Sequence, residues 1–400
     1  MAWENRRVKD VATSIIGLTY SPEDIVDEKK GILVLRSGNI QDGKTVFSDN
    51  VYVDAKIPQG LHIQKGDILM CARNGSAQLV GKCSYIDENY KNCTWGAFMT
   101  VIRSRYGKYL YWVFNSCILA DCKGMFQTST VNQLTGRILD NISIPFPPES
   151  IQQKIANFLD AKTQNIDARI ELLEKKKERY TTLRKALINE AVDGEGKEWK
   201  TVRMKDVFSF SKGLSITKEN LEENGIPVIS YGQIHSKQNK GVQINDSLIR
   251  FVNESYLETG EKSLTQQYDF IFADTSEDLE GCGNNVYVDR NETLFAGYHT
   301  IILRNKKHQD NKFLAYLFLS DNWRTQIRQS VCGIKVFSIT QKDLAPVEIV
   351  LPSYEEQIQI SKYLDKKTSA IDLIVSSITK EIVSLKTYRR ALINEAVTGN

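Results

Sequence analysis

One stretch of this chain occurs twice. Residues 149–194 return as 354–399, and the offset of 205 holds without a gap. Leu159-Asp160 matches Leu364-Asp365, Lys162-Thr163 matches Lys367-Thr368, and Ile166-Asp167 matches Ile371-Asp372. The copies close on Leu187-Ile188-Asn189-Glu190-Ala191-Val192 and Leu392-Ile393-Asn394-Glu395-Ala396-Val397. Any fold must therefore use the same long element twice.

The element is a helix. Leu159, Ile166, Leu173, Tyr180 and Leu187 recur every seven residues, with Ile155 and Ile170 in the alternate seam. The second copy gives Leu364, Ile371, Ile378, Leu385 and Leu392, with Val375 and Ile382 between them. Such spacing lays one apolar stripe along each helix and requires a helical partner. Neither run contains Gly or Pro, and Gly194 and Gly399 stand where a helix would stop. Forty residues make a rod of roughly 60 Å. The economical partner for one copy is the other, packed antiparallel within one chain. Lys177 falls on an apolar position where its counterpart is Ile382, and is expected to snorkel.

The segments between the helices also repeat. Trp3, Arg7, Lys9-Asp10-Val11 and Gly17-Leu18 match Trp199, Arg203, Lys205-Asp206-Val207 and Gly213-Leu214. Residues 31–40 parallel 225–234 and 65–70 parallel 267–272, each pair reading as a short strand beside a turn, and 81–87 match 283–289. A strand over 98–102 or 298–303 follows, then one aromatic-rich helix over 109–119 or 313–323. The chain thus reads as α+β: a globe over 1–148, a long helix over 149–194, a second globe over 195–352 and a second long helix over 353–400. Framework residues agree between the globes while turn residues do not. One scaffold with two loop sets implies two ligand readings.

Charge and composition narrow the function. The net charge is +3, made of +3 over 1–148, +1 over 149–194, −2 over 195–352 and +1 over 353–400, which excludes a bulk polyanion binder. The charged start has no apolar run of a signal peptide, and no stretch reaches membrane-spanning length, so a cytoplasmic protein without a membrane partner is expected. Seven scattered cysteines form no C-x-x-C pair, and the four histidines have no metal spacing, so no metal site is indicated.

The chain resembles the specificity subunit of a type I restriction–modification system. The resemblance covers its whole length and rests on Pro147-Pro148-Glu149-Ser150-Ile151-Gln152 and Pro352-Ser353-Tyr354-Glu355-Glu356-Gln357, the Leu-Asp and Ile-Asp pairs, and the Leu-Ile-Asn-Glu-Ala-Val-x-Gly endings. The family's usual Glu-Gln is kept in the second copy, whereas the first has Ile151-Gln152, which weakens one capping contact. The resemblance implies two target recognition domains, each reading half of a split asymmetric site in double-stranded DNA. It also implies assembly with two methyltransferase subunits, which bind S-adenosylmethionine and methylate adenine at N6. Restriction subunits using ATP and magnesium can join them; this chain itself would hold no cofactor.

The motifs fit a non-enzyme. No Asn/Asp-Pro-Pro-aromatic run of an adenine methyltransferase occurs, Gly281-Cys282-Gly283 lacks the Lys and Ser/Thr of a phosphate loop, and Glu174-Lys175-Lys176 sits on a charged helix face. Arg, Asn and Gln read guanine and adenine edges bidentately. On that basis the candidate DNA-binding residues are Arg36, Asn39, Arg73, Asn74, Lys82, Thr128 and Ser129 in the first globe. In the second they are Tyr231, Gln233, His235, Lys237, Thr275, Asn284, Asn285 and Lys335. The acidic run Glu277-Asp278-Leu279-Glu280 is expected to face away from phosphate. Two rival readings remain: a self-sufficient nuclease or methyltransferase, against which the missing motifs count, and a protein-only coiled-coil adaptor, which would not need divergent polar loops.

Overall fold

The computed structural model describes residues 3–90, 92–122, 132–331 and 336–399. They form two compact units, Met1–Glu174 with Lys380–Asn400, and Lys175–Thr379. Each unit holds one globe, part of one long helix and the complementary part of the other.

In the first unit a four-stranded antiparallel sheet runs in the order Cys83–Tyr85, Ile68–Cys71, Met99–Arg103, Thr13–Ile16. Its central strand is apolar throughout because both faces are covered. Ile68 and Met70 point into a core with Leu110, Val113 and Phe114, while Leu69 and Cys71 point into another with Trp95 and Val101. That is the period of two expected of a strand. The second unit repeats the design with Asn285–Tyr287, Phe270–Ala273, Thr300–Asn305 and Phe208–Lys212. There Phe270 and Phe272 join one core, and Ile271 and Ala273 the other. A smaller sheet accompanies each, pairing Ile32–Leu35 in parallel with Cys93–Trp95, and Ile226–Ile229 in parallel with Phe295–Ala296. Asp67 and Asp269 are buried at equivalent places. Arg103 and Arg304 each approach within 2.7 Å and neutralise them.

The expected single helix after each central strand is in fact two: Gly107–Phe114 with Cys117–Asp121, and Asn311–Leu317 with Asp321–Ser330. A buried serine makes the break. Ser116 Oγ donates to Val113 O (2.6 Å) and accepts from Ile118 N (3.3 Å); Ser320 Oγ donates to Leu317 O (2.7 Å) and accepts from Trp323 N (3.4 Å). Each hydroxyl thus ends one helix and caps the next.

The long helices span Glu149–Val192 and Tyr354–Thr398. They run antiparallel. In the first unit Arg389 pairs with Asp167 (2.9 Å) and Lys386 with Glu174 (3.5 Å), so one number rises as the other falls. In the second unit Arg184 lies 3.2 Å from Asp372. Shifting Asp167 and Arg184 by 205 gives Asp372 and Arg389, so the two ion pairs are the same contact made twice. Of the expected seam residues, Leu159, Ile166, Leu364, Ile371 and Ile378 are buried, whereas Leu173, Tyr180, Leu187, Leu385 and Leu392 are half-buried. In the alternate seam Ile170 and Ile382 are buried as expected, whereas the first copy otherwise departs from expectation. It runs through Ala156, Thr163, Ile170, Lys177 and Arg184, with Ile155 displaced to one side. The polar members are tolerated because Thr163 Oγ1 donates to Leu159 O (2.7 Å), Arg184 meets Asp372, and Lys177 is only half-buried.

The repeated motifs are the fittings that dock these helices. Leu159 and Leu364 enter the globe cores, and the following Asp160 and Asp365 accept from Trp112 Nε1 (3.1 Å) and Tyr316 OH (2.7 Å). Gln152 and Gln357 are buried and donate to Pro147 O (2.8 Å) and Pro352 O (3.0 Å), closing the helix starts. Glu356 additionally accepts from Trp199 Nε1 (3.3 Å), the bond that Ile151 cannot make in the first copy. At the far ends, Ile188 and Val192 enter the second globe's core, and Ile393 and Val397 the first's. Asn189 Oδ1 accepts from Asp321 N (2.9 Å) and Asn394 Oδ1 from Cys117 N (2.8 Å), so each asparagine caps a globe helix. A Cβ on Gly194 or Gly399 would come within 3.1 Å of the Trp199 or Trp3 ring.

Candidate nucleic-acid interface

The candidate readers stand where the central strands run out into turns. Backbone bonds there are the same in both globes. Cys71 N and Ala273 N donate to Lys82 O (2.9 Å) and Asn284 O (3.0 Å); Ala72 N and Asp274 N donate to Phe98 O (2.9 Å) and His299 O (3.1 Å). Arg36 N and Ser230 N are held by the side chains of Asn39 (2.9 Å) and Gln233 (3.1 Å). These bonds put Arg36 opposite Ser230, Ser37 opposite Tyr231, Arg73 opposite Thr275, Lys82 opposite Asn284 and Phe98 opposite His299. One backbone frame presents two unrelated sets of side chains.

In the first globe the set gathers around Ser37. Asn74 Nδ2 donates to Ser37 Oγ (3.3 Å), and Lys82 Nζ to Ser37 O (3.5 Å). The Arg73 guanidinium lies 5.2 Å from the centre of the Phe98 ring, which is 60% exposed. Stacking of this kind holds the fork flat and leaves its outer N–H groups free. Arg36 pairs with exposed Asp49 (3.3 Å). Asn39 does not belong to the surface: it is buried, and its amide bonds Arg36 N, Val46 O (3.1 Å) and Asn50 Oδ1 (3.2 Å). It shapes the turn instead of reading a ligand.

The second globe presents rings. Tyr231 packs edge-on against Tyr298 (5.5 Å), His299 (5.3 Å) and His235 (6.2 Å). His299, with a positive φ of 55°, turns its Nδ1 to within 3.3 Å of Asp274, whose carboxylate also accepts from Thr275 Oγ1 (2.7 Å). His235 and Asn284 form a chain with Arg324. The guanidinium donates to Asn284 Oδ1, so Asn284 Nδ2 must donate to His235 Nδ1 (3.0 Å), and His235 Nε2–H donates to Thr275 O (2.8 Å). Burial, then the charge of nearby Arg328, holds the Arg324 guanidinium below its usual pKa. Asn285 is buried with Nδ2 on Gly283 O (3.2 Å), so it too is withdrawn from any ligand. Gln233 keeps its Oε1 on Ser230 N, and Lys237 is exposed. Thr128, Ser129 and Lys335 lie outside the described residues.

An open cleft of about 540 Å³ is lined by Tyr231, His235, Asn284 and Arg324 together with Glu277, Asp278 and Glu280. The acidic run thus lines the same cleft as the candidate readers. Arg328 pairs with Glu280 (2.8 Å), and Asp278 Oδ1 accepts from Gly281 N (2.6 Å), which spends part of that charge internally. Acceptors there suit the amino groups of cytosine or adenine and repel phosphate. Sequence reasoning missed Phe98, Tyr298, His299 and Arg324. The first three stand at or just before a strand start and read as strand residues, and Arg324 is hidden in a helix. Among the described residues no group of three or more His, Cys, Asp or Glu is placed to hold a metal, and no helix is long and apolar enough to cross a membrane.

Comparison with known proteins agrees with this two-part design. The type I restriction modification DNA specificity domain matches twice, over residues 2–179 and 196–383. The specificity subunit of the type I restriction enzyme EcoKI from Escherichia coli K12 is 24% identical over 99% of this chain and 89% of its own length. That of StySPI from Salmonella potsdam is 21% identical over the same shares. Among solved structures, a chain from a study of complex assembly and conformational transition of the type I R-M system aligns with a TM-score of 0.74 at 17% identity, covering 99% of this chain and 97% of that one. The HsdS subunit of Thermoanaerobacter tengcongensis aligns at 0.52 and 17%, covering 100% and 97%.

Proposed function

Since the chain belongs to the family of type I restriction modification DNA specificity domains, present here in two copies, we propose that each globe reads one half of a split, asymmetric site in double-stranded DNA. The observation that carries this reading is the shared frame with different side chains: Arg73, Lys82 and Phe98 in one globe, Thr275, Asn284 and His299 in the other. A scaffold reused with the same readers would recognise a palindrome; this one recognises two different half-sites. Arg73 offers the flat, two-pronged donor that suits a guanine edge, whereas the rings and amides of the second globe suit stacking and mixed donor–acceptor contacts.

The chain acts as the DNA-specificity subunit of a type I restriction–modification complex. It positions two methyltransferase subunits that methylate adenine at N6, with restriction subunits as further partners, in the cytoplasm. S-adenosylmethionine, ATP and magnesium would be held by those partners. Expression with its methyltransferase in a host lacking other adenine methylation tests the reading. Single-molecule methylome sequencing should find one bipartite, asymmetric motif. A palindromic motif, or methylation independent of this chain, would refute it.

A further inference from the structure

We propose that a basic cleft at the root of the second globe takes an acidic polypeptide segment from a partner, one per chain. The cleft, about 1060 Å³, runs from strand Lys200–Arg203 past the 306–309 turn to the start of helix Tyr354–Thr398. Lys200, Arg203, Lys205, Lys306 and Lys307 line it, against two carboxylates, Asp206 and Glu348. All five cations are exposed, and none of Lys200, Arg203, Lys205 and Lys307 has an ion-pair partner among the described residues. Lys306 only donates to Lys205 O (3.0 Å). The positive end of a 45-residue helix adds to the field. The His308 ring packs at a tilt against Tyr354 (3.9 Å), giving the groove an aromatic wall.

The first globe lacks this surface. Where the second has Lys200 and Tyr354, the first has Glu4 and Glu149, which lie 3.1 Å from Arg6 and 4.0 Å from Arg105. The counterpart keeps Arg7 and Lys9, but Glu4, Asp10 and Glu149 offset much of its charge, and this asymmetry favours one partner copy per chain. DNA is the less fitting occupant. The cleft adjoins the far end of strand Thr300–Asn305, whose other end carries His299. Six residues at about 3.4 Å each put the two ends roughly 20 Å apart, so the cleft is separate from the reading turns. A row of cations along a narrow groove calls for negative charges in series, which a run of Glu and Asp supplies.

Fluorescence anisotropy of the full chain with a fluorescein-labelled ten-residue glutamate peptide, and with a labelled duplex lacking the methylated motif, tests the proposal. It depends on neither half-site and so stands or falls apart from the recognition reading. The double charge reversal Lys200→Glu with Lys205→Glu should weaken the peptide at least tenfold and the duplex less than twofold. Lys200→Gln with Lys205→Gln should give an intermediate loss, and Arg7→Glu in the first globe none. Equal loss from Arg7→Glu, no loss from the double reversal, or a loss confined to or shared by the duplex would overturn it.

Discussion

The two reading edges share a backbone and almost nothing else. In the first globe a guanidinium lies on a phenyl ring; in the second, four rings gather beside a closed chain of hydrogen bonds from Arg324 to Thr275. Beneath the edges the globes converge again. Asp67 with Arg103 repeats as Asp269 with Arg304, and Ser116 as Ser320. The comparison teaches that the motifs repeated between the halves build and dock the scaffold, whereas the turn residues at the strand ends, which differ, supply the candidate readers. The Leu-Asp, Ile-Asp and Leu-Ile-Asn-Glu-Ala-Val motifs, the strongest marks of the family in the sequence, are all of the first kind.

The widest gap should appear where the framework itself differs. Trp323 and Leu119 occupy the same place, the third residue of the short helix, each against a glycine, Gly283 or Gly81, where a Cβ would approach within 2.9 or 2.8 Å. Trp323→Ala should cost about 3–5 kcal/mol and Leu119→Ala about 2–5 kcal/mol, read from the separate unfolding of the two units in urea. A Trp323→Ala protein as stable as its parent would show that the aromatic cluster of Phe270, Phe272, Phe318 and Trp323 does not hold that globe together.

Where the framework is identical the effects should be too. Arg103→Ala and Arg304→Ala each leave a buried carboxylate without its partner and should each cost about 3–5 kcal/mol. Unequal losses would mean that the two sheets are not energetically equivalent. A finer contrast lies at the helix ends. Among the described residues Asn394 makes one bond to its globe, whereas Asn189 makes two, accepting from Asp321 N and donating to Asp321 Oδ2 (2.8 Å). Asn394→Ala should cost about 1 kcal/mol and Asn189→Ala about 1–2 kcal/mol. The reverse order in thermal melts would contradict the capping role.

Much of this was legible in the sequence because it rests on local pattern. Seven-residue spacing marks both long helices, and constant offsets reveal the duplicated globes. What escaped depends on tertiary contacts. Asn39 and Asn285 are polar residues beside turns, as readers are, yet each is turned inward, Asn39 onto backbone and side-chain partners of its own turn and Asn285 onto Gly283 O. Thr163 and Arg184 hide in the helix seam because a backbone carbonyl and Asp372 receive them. The break at Ser116 is invisible to apolar periodicity, since an unbroken amphipathic run and two short helices share that pattern. Phe98 looks like the first residue of a strand, and only its exposure marks it as part of the edge.

The central claim is that the frame is common and the readings are separate. The direct measurement exchanges residues 1–148 for the corresponding globe of another specificity subunit, leaving the second globe and both long helices intact, and sequences the host methylome. The account predicts a methylated motif in which one half-site is replaced while the other half-site is unchanged. A change in both halves, or in neither, would contradict it.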